Sequence, residues 1–117
     1  MKKLILLFTL LPLISYSQYT SIPDQNFEQA LIDKGYDDTI DGQVLTSNIS
    51  SITELDLVSA NISDLTGIEG FTALTELNCG DNQLKSLDLS KNTSLTYLEC
   101  DDNNFDCDAI ISKYNLK

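Results

Sequence analysis

Apolar residues return in one fixed pattern along the second half of the chain. Residues 74–84 (LTELNCGDNQL) have apolar side chains at positions one, four, six and eleven of the stretch and asparagine at position nine. Residues 95–105 (LTYLECDDNNF) repeat this pattern 21 residues later, and residues 52–62 (ITELDLVSANI) carry it 22 residues earlier. The central positions alternate between apolar and polar, which is the period of a β-strand with one buried face. The pattern therefore predicts three short strands that lie side by side.

The stretches between these strands predict the other side of each turn of the chain. After the first strand, apolar residues follow at every third position, namely Ile62, Leu65, Ile68 and Phe71. That spacing suits 3₁₀ or irregular backbone, because side chains three residues apart eclipse there. After the second strand, the strand pattern itself returns in Leu84, Leu87, Leu89 and Asn92. One turn cannot bury its apolar face alone, whereas stacked turns share a continuous core. The predicted fold is an α/β solenoid of about three coils with a parallel sheet on one side.

Both ends of the repeated region predict caps. Before it, Phe27, Ala30 and Leu31 fall on one face of a helix that Asp24 is placed to cap and Gly35 is placed to end. After it the pattern fails, and the sequence DAIISKYNL favours a short helix with apolar residues on one side. These two segments are expected to cover the open ends of the stack.

The first 17 residues have the three parts of a secretory signal peptide. Two lysines precede an apolar run from Leu4 to Ile14, and Ser15 and Ser17 have the spacing of a cleavage site. The run of 11 residues is far shorter than the roughly 20 that span a bilayer. We therefore expect cleavage after Ser17, a secreted or cell-surface location, and no membrane insertion of the remaining chain. The predicted division is a signal peptide at 1–17, a helical cap at 18–48, repeats at 49–105, and a C-terminal cap or truncated next repeat at 106–117.

The charge balance excludes two classes of partner. The chain has 18 acidic residues, 7 basic residues and no histidine, for a net charge of −11. Loss of the leader with its two lysines would bring the net charge to about −13. Nucleic acids and anionic membrane surfaces are recognised by clustered cations, which this chain lacks. A binding partner is instead expected to be basic or to recruit calcium.

The frame Leu-x-x-Leu-x-Leu-x-x-Asn-x-Leu resembles the leucine-rich repeat family over residues 49–105. The first coil resembles the 22-residue internalin type, and the second resembles the 21-residue repeats of secreted bacteroidete (flavobacterial) proteins. The segment before the repeats resembles the helical cap of internalin-like domains. One departure is Ala60, which stands in the asparagine position, where the neighbouring Asn61 could substitute only after a local shift in register. The resemblance implies a noncatalytic secreted or surface-exposed binding module for protein or glycan. The alternative is a structural spacer or N-terminal fragment of a larger surface adhesin, without a ligand of its own.

Cys79 and Cys100 occupy the position that Leu57 holds in the first coil. A buried cysteine behaves as a small apolar residue, so both are expected to fill the core as free thiols. A zinc site would need four cysteine, histidine or carboxylate ligands, and the chain has no histidine and no Cys-x-x-Cys pair. A reactive cysteine needs a neighbouring base or cation, which the core position does not offer. No catalytic residue, metal site or cofactor is predicted from the cysteines.

The outward positions of the three strands are the predicted binding surface. They are Glu54, Asp56, Glu76, Asn78, Tyr97, Glu99 and Asp101. Nothing in the sequence distinguishes one of these carboxylates from another as an acid or a base, so the pattern favours binding over catalysis. Tyr97 offers an aromatic side chain of the kind enriched at interface hot spots.

Calcium remains open as a cofactor. Asp81, Asp101 and Asp102 are expected near each other across adjacent turns, and residues 37–42 (DDTIDG) form a second acidic loop. Calcium takes six to eight oxygen ligands, but neither stretch has the spacing of an EF-hand.

Overall fold

The computed structural model describes residues 18–117, so the predicted signal peptide lies outside the described residues. In chain order the elements are β1 (Tyr19–Ser21), α1 (Gln25–Asp33), β2 (Gln43–Leu45), α2 (Thr46–Ile49), β3 (Glu54–Asp56), a 3₁₀ helix (Ile68–Gly70), β4 (Glu76–Asn78), β5 (Tyr97–Glu99) and α3 (Cys107–Lys113). None of these helices is long and apolar enough to cross a membrane.

The three strands of the repeated region form one parallel sheet in the order β3-β4-β5. Leu55 pairs with Leu77 and Leu77 with Leu98, so equivalent positions of the frame lie side by side. All three leucines are buried. The alternation of the sequence thus has the predicted outcome, an α/β repeat structure whose leucines point into one continuous core. Residues 84–92 have the strand pattern, but no strand forms there.

A buried asparagine joins the first two turns. The side-chain oxygen of Asn82 accepts hydrogen bonds from the amides of Ala60 (3.1 Å) and Ile62 (2.9 Å). Its side-chain nitrogen donates to three backbone carbonyls, those of Leu57, Cys79 and Gly80. The neighbouring Asn61 does not take over the missing role in the first turn. It adopts a positive φ of 57°, and its own side-chain oxygen accepts from Gln83.

The N-terminal segment is attached to the first turn through Asp24. One carboxylate oxygen of Asp24 caps α1 by accepting from the amides of Asn26 and Phe27, as the sequence predicted. The other oxygen accepts from the amides of Ser63 (2.9 Å) and Asp64 (3.0 Å). The Asp24 side chain therefore accepts hydrogen bonds from two pairs of backbone amides, one in α1 and one in the first turn. These bonds hold α1 against the repeats.

Aromatic stacking and a glycine complete this junction. The rings of Phe27 and Phe71 stack with their centroids 6.2 Å apart, and both side chains are fully buried. Gly67 adopts a φ of 111°, and a side chain there would clash with Ile22 and approach the carbonyl oxygen of Ser21 to 2.6 Å. Only glycine allows the strand β1 to lie this close to the repeats.

The C-terminal segment returns to the edge of the sheet. Its last residue, Lys117, donates from its amide to the carbonyl of Thr96 (3.1 Å) and accepts from the amide of Leu98 (2.9 Å). Thr96 makes the same contact one turn earlier, since its amide donates to the carbonyl of Thr75. Lys117 thus lies where the next strand of the sheet would begin.

The prediction of free thiols at both core cysteines is wrong for one of them. Cys79 is free and fully buried, but Cys100 forms a disulfide with Cys107. The chain turns sharply after β5 into α3, which Asp106 caps. This turn brings the Cα atoms of the two cysteines to 5.5 Å, within the usual range for a disulfide. The partner of Cys100 is not in a neighbouring turn of the stack but only seven residues along the chain.

Candidate functional site

The outward residues of the sheet form rows across its three strands. Glu54 lies beside Glu76, which lies beside Tyr97. In the next row, Asp56, Asn78 and Glu99 are paired in the same way. Asn78 is partly buried, and the other five side chains are exposed. Asp101 follows the end of β5 and is also exposed, in a third row with Val58 and Gly80. We call the six residues of the first two rows the sheet face.

Two members of the second row have a local structural role. The carboxylate of Asp56 accepts from the amide of Val58 (3.1 Å), and the side-chain oxygen of Asn78 accepts from the amide of Gly80 (3.0 Å). A short Asx side chain favours this contact two residues along the chain. Glu99, at the equivalent position, instead accepts a hydrogen bond from the Tyr97 hydroxyl at 3.2 Å. In the second row, Asp56 and Asn78 therefore stabilise the turn that follows their own strand, whereas Glu99 contacts another side chain on the surface.

The electrostatic environment of Tyr97 is negative. The hydrogen bond to Glu99 and the charge of that carboxylate raise the pKa of the Tyr97 phenol, with smaller contributions in the same direction from burial and from the charges of Glu76 and Asp101. The Tyr97 side chain is nevertheless 42% exposed. An exposed aromatic ring surrounded by carboxylates presents both an apolar contact area and a field that attracts cations.

The sheet face is the floor of a shallow open pocket of about 470 Å³. All six of its residues line this pocket, whereas Asp101 does not. The wall comes from the end of α1, through Lys34 and Tyr36. Neither residue was predicted from the sequence, because both lie in the segment assigned to the N-terminal cap. The sequence signal nearest to them is Gly35, which was expected to end the helix and has a φ of 84°.

The acidic turns after the strands do not bring three carboxylates together. Among residues 18–117, Asp81, Asp101 and Asp102 do not belong to any group of three carboxylates that could share a metal ion. Asp81 and Asp102 adopt positive φ values of 53° and 61°, at the same position of the frame where Ser59 has a φ of 54°. Aspartate tolerates this left-handed conformation better than most residues. Asp81 also accepts a hydrogen bond from the Ser59 hydroxyl, so these turn acids have a structural explanation.

The repeat spacing, the parallel sheet and the asparagine contacts define an internalin-like leucine-rich repeat structure. No family model matches the chain. Over 74 residues, or 61% of this chain and 8% of the relative, the sequence is 44% identical to Internalin J of Listeria monocytogenes serotype 4b (strain F2365). The chain thus spans less than a tenth of that protein's length.

Solved structures give the same result. The functional domain of InlJ from Listeria monocytogenes, described as including a cysteine ladder, has a TM-score of 0.65 and 33% identity over 86% of this chain and 23% of that one. The internalin InlF from Listeria monocytogenes str. 4b F2365 has a TM-score of 0.69 and 26% identity over 82% of this chain and 29% of that one. The chain covers about a quarter of each of these structures, so the similarity concerns the repeat architecture and not a whole protein.

Proposed function

We propose that the chain is a noncatalytic, secreted or surface-exposed module that binds a protein or glycan through the sheet face. One observation carries this proposal: six outward residues predicted from the repeat line a single shallow pocket. In addition, the carboxylates near Tyr97, Glu99 above all, raise the pKa of its phenol. The similarity to internalins supports a surface interaction module.

The chemistry of the sheet face favours a basic partner, or one bridged by calcium. Glu54 and Glu76 are directly paired on adjacent strands, which lie about 4.8 Å apart. Their carboxylates repel each other, and a cationic group placed between them would relieve that repulsion. The exposed ring of Tyr97 would supply apolar contact area beside the charges. Binding of this kind depends strongly on salt, because exposed charges are screened within about 10 Å at 0.1 M ionic strength.

The test compares two double variants that change the net charge equally. Glu76→Gln with Glu99→Gln removes two charges from the sheet face, and Asp88→Asn with Asp108→Asn removes two exposed charges outside it. The probe is a fluorescent tetralysine peptide, titrated at 20 and 150 mM NaCl, with and without 2 mM CaCl₂. We expect the first pair to raise the Kd by about three- to tenfold at low salt, since each exposed charge pair is worth up to about 1 kcal/mol, and the control pair by less than about twofold.

The second candidate function is a spacer without a ligand, within a larger surface adhesin. It is favoured by the exposure of the face carboxylates, because charged outward residues also keep a small repeat protein dispersed. On this account both double variants weaken tetralysine binding equally, since only the net charge matters. An equal effect would therefore reject the sheet face as a binding site.

The proposal includes the finer architecture. We infer about three coils at residues 49–105, of the internalin type with the 21-residue spacing of flavobacterial repeats in the second coil, a helical cap at 18–48, and a C-terminal cap or next repeat at 106–117. The contacts of Asp24 support the N-terminal cap, whereas the pairing of Lys117 with Thr96 and Leu98 favours a next repeat over a cap at the other end.

Export is tested separately. Expressed in a Gram-negative host, the protein is expected outside the cytoplasm with Gln18 as its first residue, because residues 1–17 have the parts of a signal peptide. Mass analysis of the N-terminus measures this directly. A protein from the culture that still begins at Met1 would contradict the signal peptide and the location inferred from it.

A further inference from the structure

A carboxylate is fully buried inside the N-terminal segment. Glu28 lies on α1 with no exposed surface. Its two oxygens accept hydrogen bonds from the amides of Asp41 (3.2 Å) and Gly42 (2.9 Å), in the loop that leads to β2. Burying a charge is costly unless it is paired and well hydrogen-bonded. Two amide contacts satisfy only part of the capacity of a carboxylate, which has about four acceptor sites.

Two further carboxylates, those of Asp37 and Asp41, lie close to Glu28. Oxygen atoms of Glu28, Asp37 and Asp41 all lie within 4.8 Å of one another. The Oδ1 atom of Asp37 accepts from the amide of Asp38 (2.9 Å). Its Oδ2 atom is buried and has no hydrogen-bond partner among the described residues. A buried acceptor without a partner is rare and destabilising, and three adjacent carboxylates add mutual repulsion. A positive charge at this point would correct both defects.

The loop also provides access for an ion. Asp37 and Asp41 line an open pocket of about 370 Å³, together with the neighbouring residues of the loop and of β2. Glu28 does not line this pocket, but it contacts the same loop from α1 through its bonds to the loop amides. One fully buried oxygen donor, one partly buried donor and one exposed donor thus follow each other from the interior to the surface.

The donor set selects the class of ion. All three groups are carboxylates, which are hard oxygen ligands that suit calcium, magnesium or manganese. Magnesium demands near-ideal octahedral geometry, whereas calcium accepts six to eight oxygens in a flexible arrangement, including backbone carbonyls and water. An irregular loop that supplies three carboxylates meets the second requirement. We propose that Glu28, Asp37 and Asp41 bind one calcium ion and fix the loop 37–42 to α1.

This site is independent of the sheet face. The cluster lies in the segment before the repeats, and none of its three residues lines the pocket above the sheet. Extracellular calcium modules bind with Kd values of about 10⁻⁴ to 10⁻³ M, and we expect the same range here. An ion that binds only the folded protein raises its melting temperature.

The test is calcium titration of the purified protein after treatment with a chelator. Isothermal titration should give one site, and the melting temperature in 10 mM CaCl₂ should exceed that in EGTA by at least about 5 °C. Equal concentrations of MgCl₂ should give less than half of this shift. The decisive variant is Asp37→Asn, which keeps the acceptor for the Asp38 amide and replaces the unpaired Oδ2 by a donor. It should lose at least about 80% of the calcium shift, yet melt in EGTA at or above the temperature of the natural protein.

The matched control is Asp38→Asn, which removes the same charge from the adjacent exposed position outside the cluster. It should keep the calcium shift. Absence of a calcium heat together with an unchanged melting temperature in 10 mM CaCl₂ would overturn the proposal. So would a full calcium response in Asp37→Asn, and an equal response to magnesium would overturn the assignment to calcium. A response lost only in Glu76→Gln with Glu99→Gln would place the ion on the sheet face instead.

Discussion

Replacement of Asn82 by alanine should remove a large part of the stability of the fold. Three backbone groups depend on this side chain alone: the buried amide of Ile62, the buried carbonyl of Leu57 and the partly buried amide of Ala60. Each buried polar group left without a partner costs about 1–3 kcal/mol. Allowing for partial access of water to Ala60, the expected loss is about 3–5 kcal/mol in the free energy of unfolding. A domain of this size has only about 5–15 kcal/mol in total.

The same substitution at Asn103 provides the comparison. Asn103 occupies the equivalent position one turn later and is only partly buried, and the amide of Leu84 and the carbonyl of Cys100 depend on it. Water can replace it there, so Asn103→Ala should cost about 1–2 kcal/mol. Urea unfolding followed by circular dichroism measures both losses, with the slope of the transition unchanged if each variant stays two-state. If Asn82→Ala cost no more than Asn103→Ala, burial of the asparagine contacts would not be what joins the turns.

Two further predictions follow from the cysteines and from Tyr97. Without reductant, Cys79 should be the one alkylated thiol after denaturation. It should react slowly in the folded protein, because burial raises its pKa to about 12. Mass analysis of a nonreduced digest should show Cys100 linked to Cys107, and a linked Cys79 peptide would contradict the pairing. Ultraviolet titration should place the pKa of Tyr97 above its ordinary value of 10.0, and Glu99→Gln should lower it. Because the pKa of Tyr97 is raised in the folded state, the stability that its environment contributes is present below pH 10 and is lost as the pH rises through the folded pKa. An unchanged titration curve in Glu99→Gln would exclude Glu99 as the main cause.

The sequence predicted the repeat structure and the composition of its sheet because both follow from a short period. The alternation around Leu55, Leu77 and Leu98 allows one register, since a slip by one residue would expose the buried side chains. The order of the two outward rows then follows from the spacing of 22 and 21 residues. The helix α1 with Asp24 as its cap was equally local and was also confirmed.

The sequence did not predict contacts between elements that no period relates. The bond between Cys100 and Cys107 requires the direction of α3 after the last strand. The position of Lys34 beside the sheet requires the docking of α1 on the first turn. The burial of Glu28 requires the path of a loop that closes over the helix. Each of these contacts depends on tertiary packing. The burial of Glu28 was also not expected from its residue type, because charged residues are seldom fully buried.

Some outward residues of the sheet make contacts that stabilise the fold, and others do not. In the second row, Asp56 and Asn78 hold amides of the following turn, which is a sufficient reason for their presence. In the first row, Glu54 and Glu76 make no side-chain hydrogen bond to another described residue, although they lie directly beside each other. Threonine or valine would suit a strand better and would remove the repulsion. The carboxylates of the first row therefore make no side-chain hydrogen bond within the described fold, so the proposed cationic partner and the spacer alternative make opposite predictions for these two side chains.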